Sequence, residues 1–198
     1  MVSLLRGHRP QRTRTPGPLL QDDATLVVRA RHDRQAFAAL YDAYVDPVYR
    51  YCFRRLGSRE GAEDATSLVF AKALAALPEY RDDNPSFRAW LFAIAHNVIA
   101  DELRARRPDR PLTTLDDVAS QSSTPEEVVA RSEEHHTLRA LLTLLPPSEA
   151  RLLELRMAGL SGAEIASVLG MTPGAVRVAH HRAVAHLRAF LIEEASHA

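Results

Sequence analysis

Apolar residues return every three or four positions along most of this chain, and no stretch sustains the period-two alternation of a half-buried strand. The pattern predicts an all-α protein. From Ala24 to Leu56 the stripe runs through Phe37, Leu40, Tyr41, Tyr44, Val48 and Tyr51. Pro47 interrupts it, as a kink or as the first turn of a new helix. Gly57-Ser58 ends the run. A second helix is expected from about Arg59 to Leu77, with Ala62, Ala65, Val69, Ala73 and Ala76 on one side, and Pro78 to Pro85 (PEYRDDNP) reads as a loop. Ser86 is placed to cap a third helix ending near Arg107. Its apolar stripe is Phe87, Trp90, Leu91, Ile94, Val98 and Ile99, and the opposite side carries Arg88, His96, Asn97, Asp101 and Arg104.

The pattern then fails. Residues 112–134 hold six acidic side chains against one arginine, are rich in Ser and Thr, and lack an apolar stripe, which favours an extended tether. Periodicity resumes near His135 with Leu138, Leu141, Leu142 and Leu145, and a further helix is expected from about Ser148 to Ala158, closed by Gly159. The next stretch, Glu164 to Arg177 (EIASVLGMTPGAVR), stops one helix and starts another within about four residues. Ser161 with Glu164 three positions on forms a capping box, Gly170 suits a left-handed turn, Thr172 is placed to cap the next helix, and Pro173 fits its first position. Val176, Ala179, Ala183 and Leu187 continue a buried face. The arrangement is that of a helix-turn-helix, in which two helices cross and the N-terminus of the second is left free.

Charge supports a nucleic-acid role for that unit. The chain of 198 residues has 25 basic and 25 acidic side chains, so any attraction to nucleic acid must be local. From Ile165 to Ile192 there is no acidic residue, while Arg177, Arg182, Arg188, His180, His181 and His186 are present. A solvated basic hairpin is the bland reading, and spacing, caps and charge together favour DNA binding over it. Nearly all the cations are arginine, Lys72 being the only lysine. Cys52 stands alone, which excludes an intramolecular disulfide and fits a reducing cytoplasm. No apolar run approaches the roughly 20 residues of a membrane span, and the N-terminus lacks the apolar stretch of a signal peptide. The organisation expected is therefore a basic tail over 1–23, a helical domain over 24–108, an acidic linker over 109–133 and a helix-turn-helix domain over 134–194.

Enzymatic readings find little to stand on. His135-His136 beside Glu133-Glu134, and His180-His181 near His186, invite a metal, but neither has HExxH spacing and there is no cysteine pair. No glycine-rich phosphate loop occurs. No cofactor or metal is expected.

A specific resemblance joins the two halves. LYDAYVDPVYRYCFRRLGSREGAEDATSLVFAKAL with FRAWLFAIAHNVIADELRARR is similar to region two of the extracytoplasmic-function (ECF) sigma factors, and LPPSEARLLELRMAGLSGAEIASVLGMTPGAVRVAHHRAVAHLR to their region four. Alanine, glutamate and aspartate at 62–64, the Trp90–Asn97 pattern and the C-terminal EIA–LG–G–V–HRA–LR pattern carry the match. The resemblance implies a dissociable RNA polymerase subunit that directs promoter recognition. Region two would grip the clamp helices of the largest subunit through Glu60, Glu63, Asp64, Leu68 and Phe70, and capture the melted minus-ten strand. Tyr80, Arg88, Trp90, Asn97, Arg104 and Arg107 are the candidates for that strand contact, since unpaired bases are held by aromatic faces and a basic track. Trp90 reads equally as plain core, Phe87 reads as core before strand contact, and Glu60, Glu63 and Asp64 read also as partners of a helix dipole. Region four would read the duplex minus-thirty-five element through Thr172, Pro173, Gly174, Arg177, Val178, His181 and Arg182, and rest on the flap of the second subunit. An anti-sigma factor is implied as a further partner. Ala93 and Ala179 stand where many relatives carry arginine, a loss expected to weaken phosphate contact or change sequence preference, and His180 stands where an apolar residue is usual. The rival from another class is a stand-alone helix-turn-helix regulator.

Overall fold

The computed structural model describes residues 23–81, 86–106 and 140–197. Arg107, the tail over 1–22, the linker and the His135-His136 pair lie outside these residues. Every regular element among them is helical: α1 (Asp23–Ala30), α2 (Arg34–Leu56), α3 (Arg59–Ala76), α4 (Phe87–Ala105), α5 (Pro147–Met157), α6 (Gly162–Leu169) and α7 (Pro173–His197), with a short 3-10 turn at Leu77–Glu79.

The expected helix from Ala24 to Leu56 is in fact two. Asp33 breaks it: its backbone is extended and its carboxylate accepts from the Gln35 amide at 2.8 Å, so it caps a new helix. Pro47, in contrast, breaks nothing. It sits inside a continuous α2, and the Ala43 carbonyl, which proline cannot bond, belongs to a solvent-facing position. Gly57 ends α2 with φ 72°, and Ser58 caps α3 by accepting from the Gly61 amide. The α3 stripe is buried at Ala62, Ala65, Val69 and Ala73, but Ala76 is exposed, and Thr66 and Phe70 join the core instead. Thr66 is accommodated because its hydroxyl donates to the Ala62 carbonyl at 2.6 Å.

Helices α1 to α4 form one bundle around Leu40, Val48, Tyr51, Leu56, Leu91 and Phe92, all essentially sealed from solvent. Aromatic edges lock it: Tyr51 meets Phe92 with ring centroids 5.5 Å apart, and Tyr41 meets Phe70 at 4.6 Å. Cys52 lies in this core, and burial pushes its thiol up to about 11. Helices α5 to α7 form a second group on Leu152, Leu155, Leu160 and Ile165. Here the nearly buried Glu149 takes His186 of α7 at 2.8 Å, tying α5 to the middle of the long helix.

The two groups are packed together. One buried apolar cluster runs through both, and α4 lies on α2 and α3 on one side and on α6 on the other. That double packing explains a departure from the sequence pattern. Arg88 and His96, expected on a solvent face of α4, are respectively buried and half-buried.

His96 carries a pH dependence. Its Nδ1 lies 3.2 Å from the Tyr51 hydroxyl, and burial, reinforced by Arg55 and Arg151, lowers its pKa from 6.5 to about 4. The folded state thus holds a neutral imidazole that the unfolded chain protonates first. The stability this contributes is complete above pH 6.5 and is lost as the pH falls toward 4. Thermal melts are expected to lose up to about 3 kcal/mol across that window. His96→Gln should flatten the slope relative to wild type, and parallel profiles would show that His96 is not its source.

Candidate nucleic-acid interface

The turn between α6 and α7 is built almost entirely by local chemistry. Ser161 accepts from the Glu164 amide while the Glu164 carboxylate accepts from the Ser161 amide at 2.7 Å, completing the capping box. Gly170 takes the left-handed conformation at φ 63°, and the Met171 amide reaches back to the Ala166 carbonyl at 2.9 Å. The Thr172 hydroxyl then accepts from the Ala175 amide at 3.2 Å, and α7 begins at Pro173. Val176 and Ala183 are buried on one face of α7, with Ala179 and Leu187 packed against them. The other face is free: Thr172, Pro173, Gly174, Arg177, Val178, His181 and Arg182 are all exposed, Val178 at 57%. A helix whose packing residues all lie on one side can enter a groove with the other without disturbing its fold.

The proposed strand-contact residues divide. Asn97 and Arg104 are exposed on α4, Arg104 paired with Asp101 at 2.9 Å, and Trp90 is half-buried. Tyr80 is corrected to a core residue: it is buried, its ring meets Phe87 at 6.0 Å and Trp90 at 5.1 Å, and Arg31 lies over its other side. A ring so enclosed offers no face for a base. Arg88 is not free in this arrangement either, because its guanidinium donates to the Gly159 carbonyl at 2.6 Å.

The α3 surface divides in the same way. Glu60, Glu63, Asp64 and Leu68 are exposed, and the Glu63 carboxylate makes a solvent-facing pair with Arg59 at 2.8 Å, a bond weak enough to be exchanged. Phe70 points inward against Tyr41 and is corrected to core. A cavity of about 310 Å³ opens beside this face, lined by Glu60, Asp64, Leu68, Val98, Glu102 and Arg106 among others. Among the described residues no cluster is arranged to hold a metal, and no helix is long and apolar enough to cross a membrane.

Two packed groups of helices, one of them a helix-turn-helix whose second helix keeps an exposed basic face, are the architecture of a DNA-binding protein. Residues 40–108 match Sigma-70 region 2, and residues 135–187 match Sigma-70 region 4. The ECF RNA polymerase sigma factor BldN of Streptomyces coelicolor is 36% identical over 86% of this chain and 66% of its own length. SigD of Mycobacterium tuberculosis is 36% identical over 84% of this chain and 82% of its own, and ShbA of Streptomyces griseus is 39% identical over 86% and 98%. Among solved structures, CnrH in complex with the cytosolic domain of CnrY superposes with a TM-score of 0.69 at 27% identity, covering 87% of this chain and 99% of that one. The chain belongs to the sigma-70 family, in its ECF branch, and is a bacterial sigma factor rather than a stand-alone helix-turn-helix regulator.

Proposed function

We propose that the two domains, over about 24–108 and 134–194, divide promoter recognition as the exposed residues divide the surface. Arg177, Val178, His181 and Arg182, with Thr172, Pro173 and Gly174 at the helix start, read the duplex minus-thirty-five element. Asn97, Trp90 and Arg104 hold the melted minus-ten strand, joined by Arg88 once it is released from Gly159. Glu60, Glu63, Asp64 and Leu68 meet the clamp helices of core polymerase, and the helix-turn-helix domain rests on the flap. The observation that carries this reading is the α7 face, where the whole recognition set is exposed and carries none of the packing. No enzymatic activity and no cofactor is needed: trapping an unpaired base offsets roughly a few kcal/mol of unstacking. The protein would act in the cytoplasm, and the binding of CnrY by CnrH supports an anti-sigma partner here.

The test is run-off transcription with core polymerase. Promoter-specific transcripts are expected only when this chain is added, and their absence overturns the reading. Asn97→Ala is expected to reduce promoter opening about tenfold while initial binding persists, on the scale of a lost base contact of about 1–3 kcal/mol. Permanganate reactivity of unpaired thymines checks it, and wild-type reactivity would remove Asn97 from the strand contact.

A further inference from the structure

The exposed side of α7 has an internal order. At about 100° per residue, Val176, Ala179, Ala183, Leu187 and Phe190 make one stripe, and this stripe packs on the core. Gly174, Val178, His181 and Ala185 recur at the same three- and four-residue spacing on the opposite side, and all four are exposed. Arg177 and Arg188 fall on one flank of that crest and Arg182 on the other, and they too are exposed. The part of the helix farthest from the protein body is therefore small and largely uncharged, with the arginines beside it. Val178 is the one sizeable apolar side chain on the crest, at 57% exposure. It lies off the packed stripe, and a β-branched residue is a poorer helix former than the neighbouring alanines, so neither packing nor propensity accounts for it.

We propose that Val178 is a specificity-determining residue, which selects a thymine in the minus-thirty-five element by contact with the C5 methyl group of that base. This role depends on α7 reading that element, as proposed above, and says which side chain carries the discrimination. A helix seated in the major groove turns its crest to the base edges and its flanks to the two phosphate walls. The flanking arginines then hold the backbone, where they set position and affinity but carry no base preference. Base edges in that groove offer hydrogen-bonding groups and one apolar group, the thymine methyl. Val178 has nothing to donate or accept with its side chain, so the methyl is the feature it can recognise. Rejection of cytosine follows from the same surface. The cytosine amino group needs an acceptor, and no carboxylate occurs between Ile165 and Ile192. Gly174, one turn before Val178, has no side chain to hold the crest off the groove floor, and His181, one turn after, supplies the polar group of the crest.

The experiment uses holoenzyme assembled from the full chain and core polymerase. Selection from random duplex DNA should yield an upstream element with at least one strongly preferred thymine. Replacing each such thymine in turn by deoxyuridine removes only the methyl group. At one of them it should weaken binding about fourfold, the scale of a single apolar carbon returned to water. Val178→Ala should erase that thymine–uracil difference, and Val178→Ile should keep it. Arg182→Ala should instead weaken binding to both duplexes alike and reduce the slope of log affinity against log salt by about 0.9. An Arg182→Ala effect confined to one base pair would put the arginine on the base edges and overturn the order of crest and flank. An element without a preferred thymine, wild-type indifference to every methyl, or a difference that survives Val178→Ala overturns the role of Val178. In those cases a sequence preference that the Arg177→Ala, His181→Ala double variant still removes keeps α7 as the reader of the element. Selection of no upstream element at all overturns that reading, and the role of Val178 with it.

Discussion

The Arg177→Ala, His181→Ala double variant is expected to lose at least about 30-fold in affinity for a minus-thirty-five element, as polymerase holoenzyme, with no loss of helix content. Both residues are exposed and lie four apart, one turn along α7, so they meet the same stretch of groove. Each base or phosphate contact of this kind contributes about 1–3 kcal/mol, and two lost together account for the factor. The fold is spared because Val176 and Ala183, on the other face, keep the helix in place. Holoenzyme affinity for a duplex promoter fragment measures it, with far-ultraviolet dichroism as the control. Wild-type affinity in the double variant would show that another face of α7 does the reading.

Phe92→Ala is expected to act on stability instead. Phe92 is fully buried, and its ring holds the edge of Tyr51, whose hydroxyl in turn meets His96. Emptying such a site costs about 3–5 kcal/mol. Against a typical total of about 5–15 kcal/mol the loss is large, and the melting midpoint should fall by roughly 15 °C. Phe92→Leu, which keeps most of the volume, should recover much of it. A drop of only a degree or two in the alanine variant would mean that the surrounding helices close over the gap.

What could be read from the sequence followed from how local each cause was. The helix-turn-helix was legible to the residue, because Ser161, Glu164, Gly170, Thr172 and Pro173 act within one turn of themselves. The α3 and α5 boundaries were nearly as clear, set by Ser58 at one end and by Pro147 and Gly159 at the other. The break at Asp33 escaped notice because no glycine or proline marks it, although an aspartate that caps the following turn is a signal that could have found it. Phe70 was placed on a working surface by resemblance and Tyr80 by its aromatic ring beside a basic track, and their ring partners lie 29 residues back in α2 for the first and seven and ten residues ahead in α4 for the second. The hardest residue was Arg88. Its partner is a backbone carbonyl 71 positions away in the other domain, which periodicity along one helix cannot reveal.

Helices α4 and α7 differ in how many duties each side chain has. Along α7 the exposed residues Arg177, Val178, His181 and Arg182 lie off the packed face, whereas α4 is covered by the bundle on one flank and by α6 on the other. On the proposed division of surfaces, the upstream half of the promoter code can therefore be rewritten by exchanging a handful of exposed residues without cost to the fold. Changes on the packed flanks of α4, at Arg88 above all, have instead to be matched by the neighbours they touch.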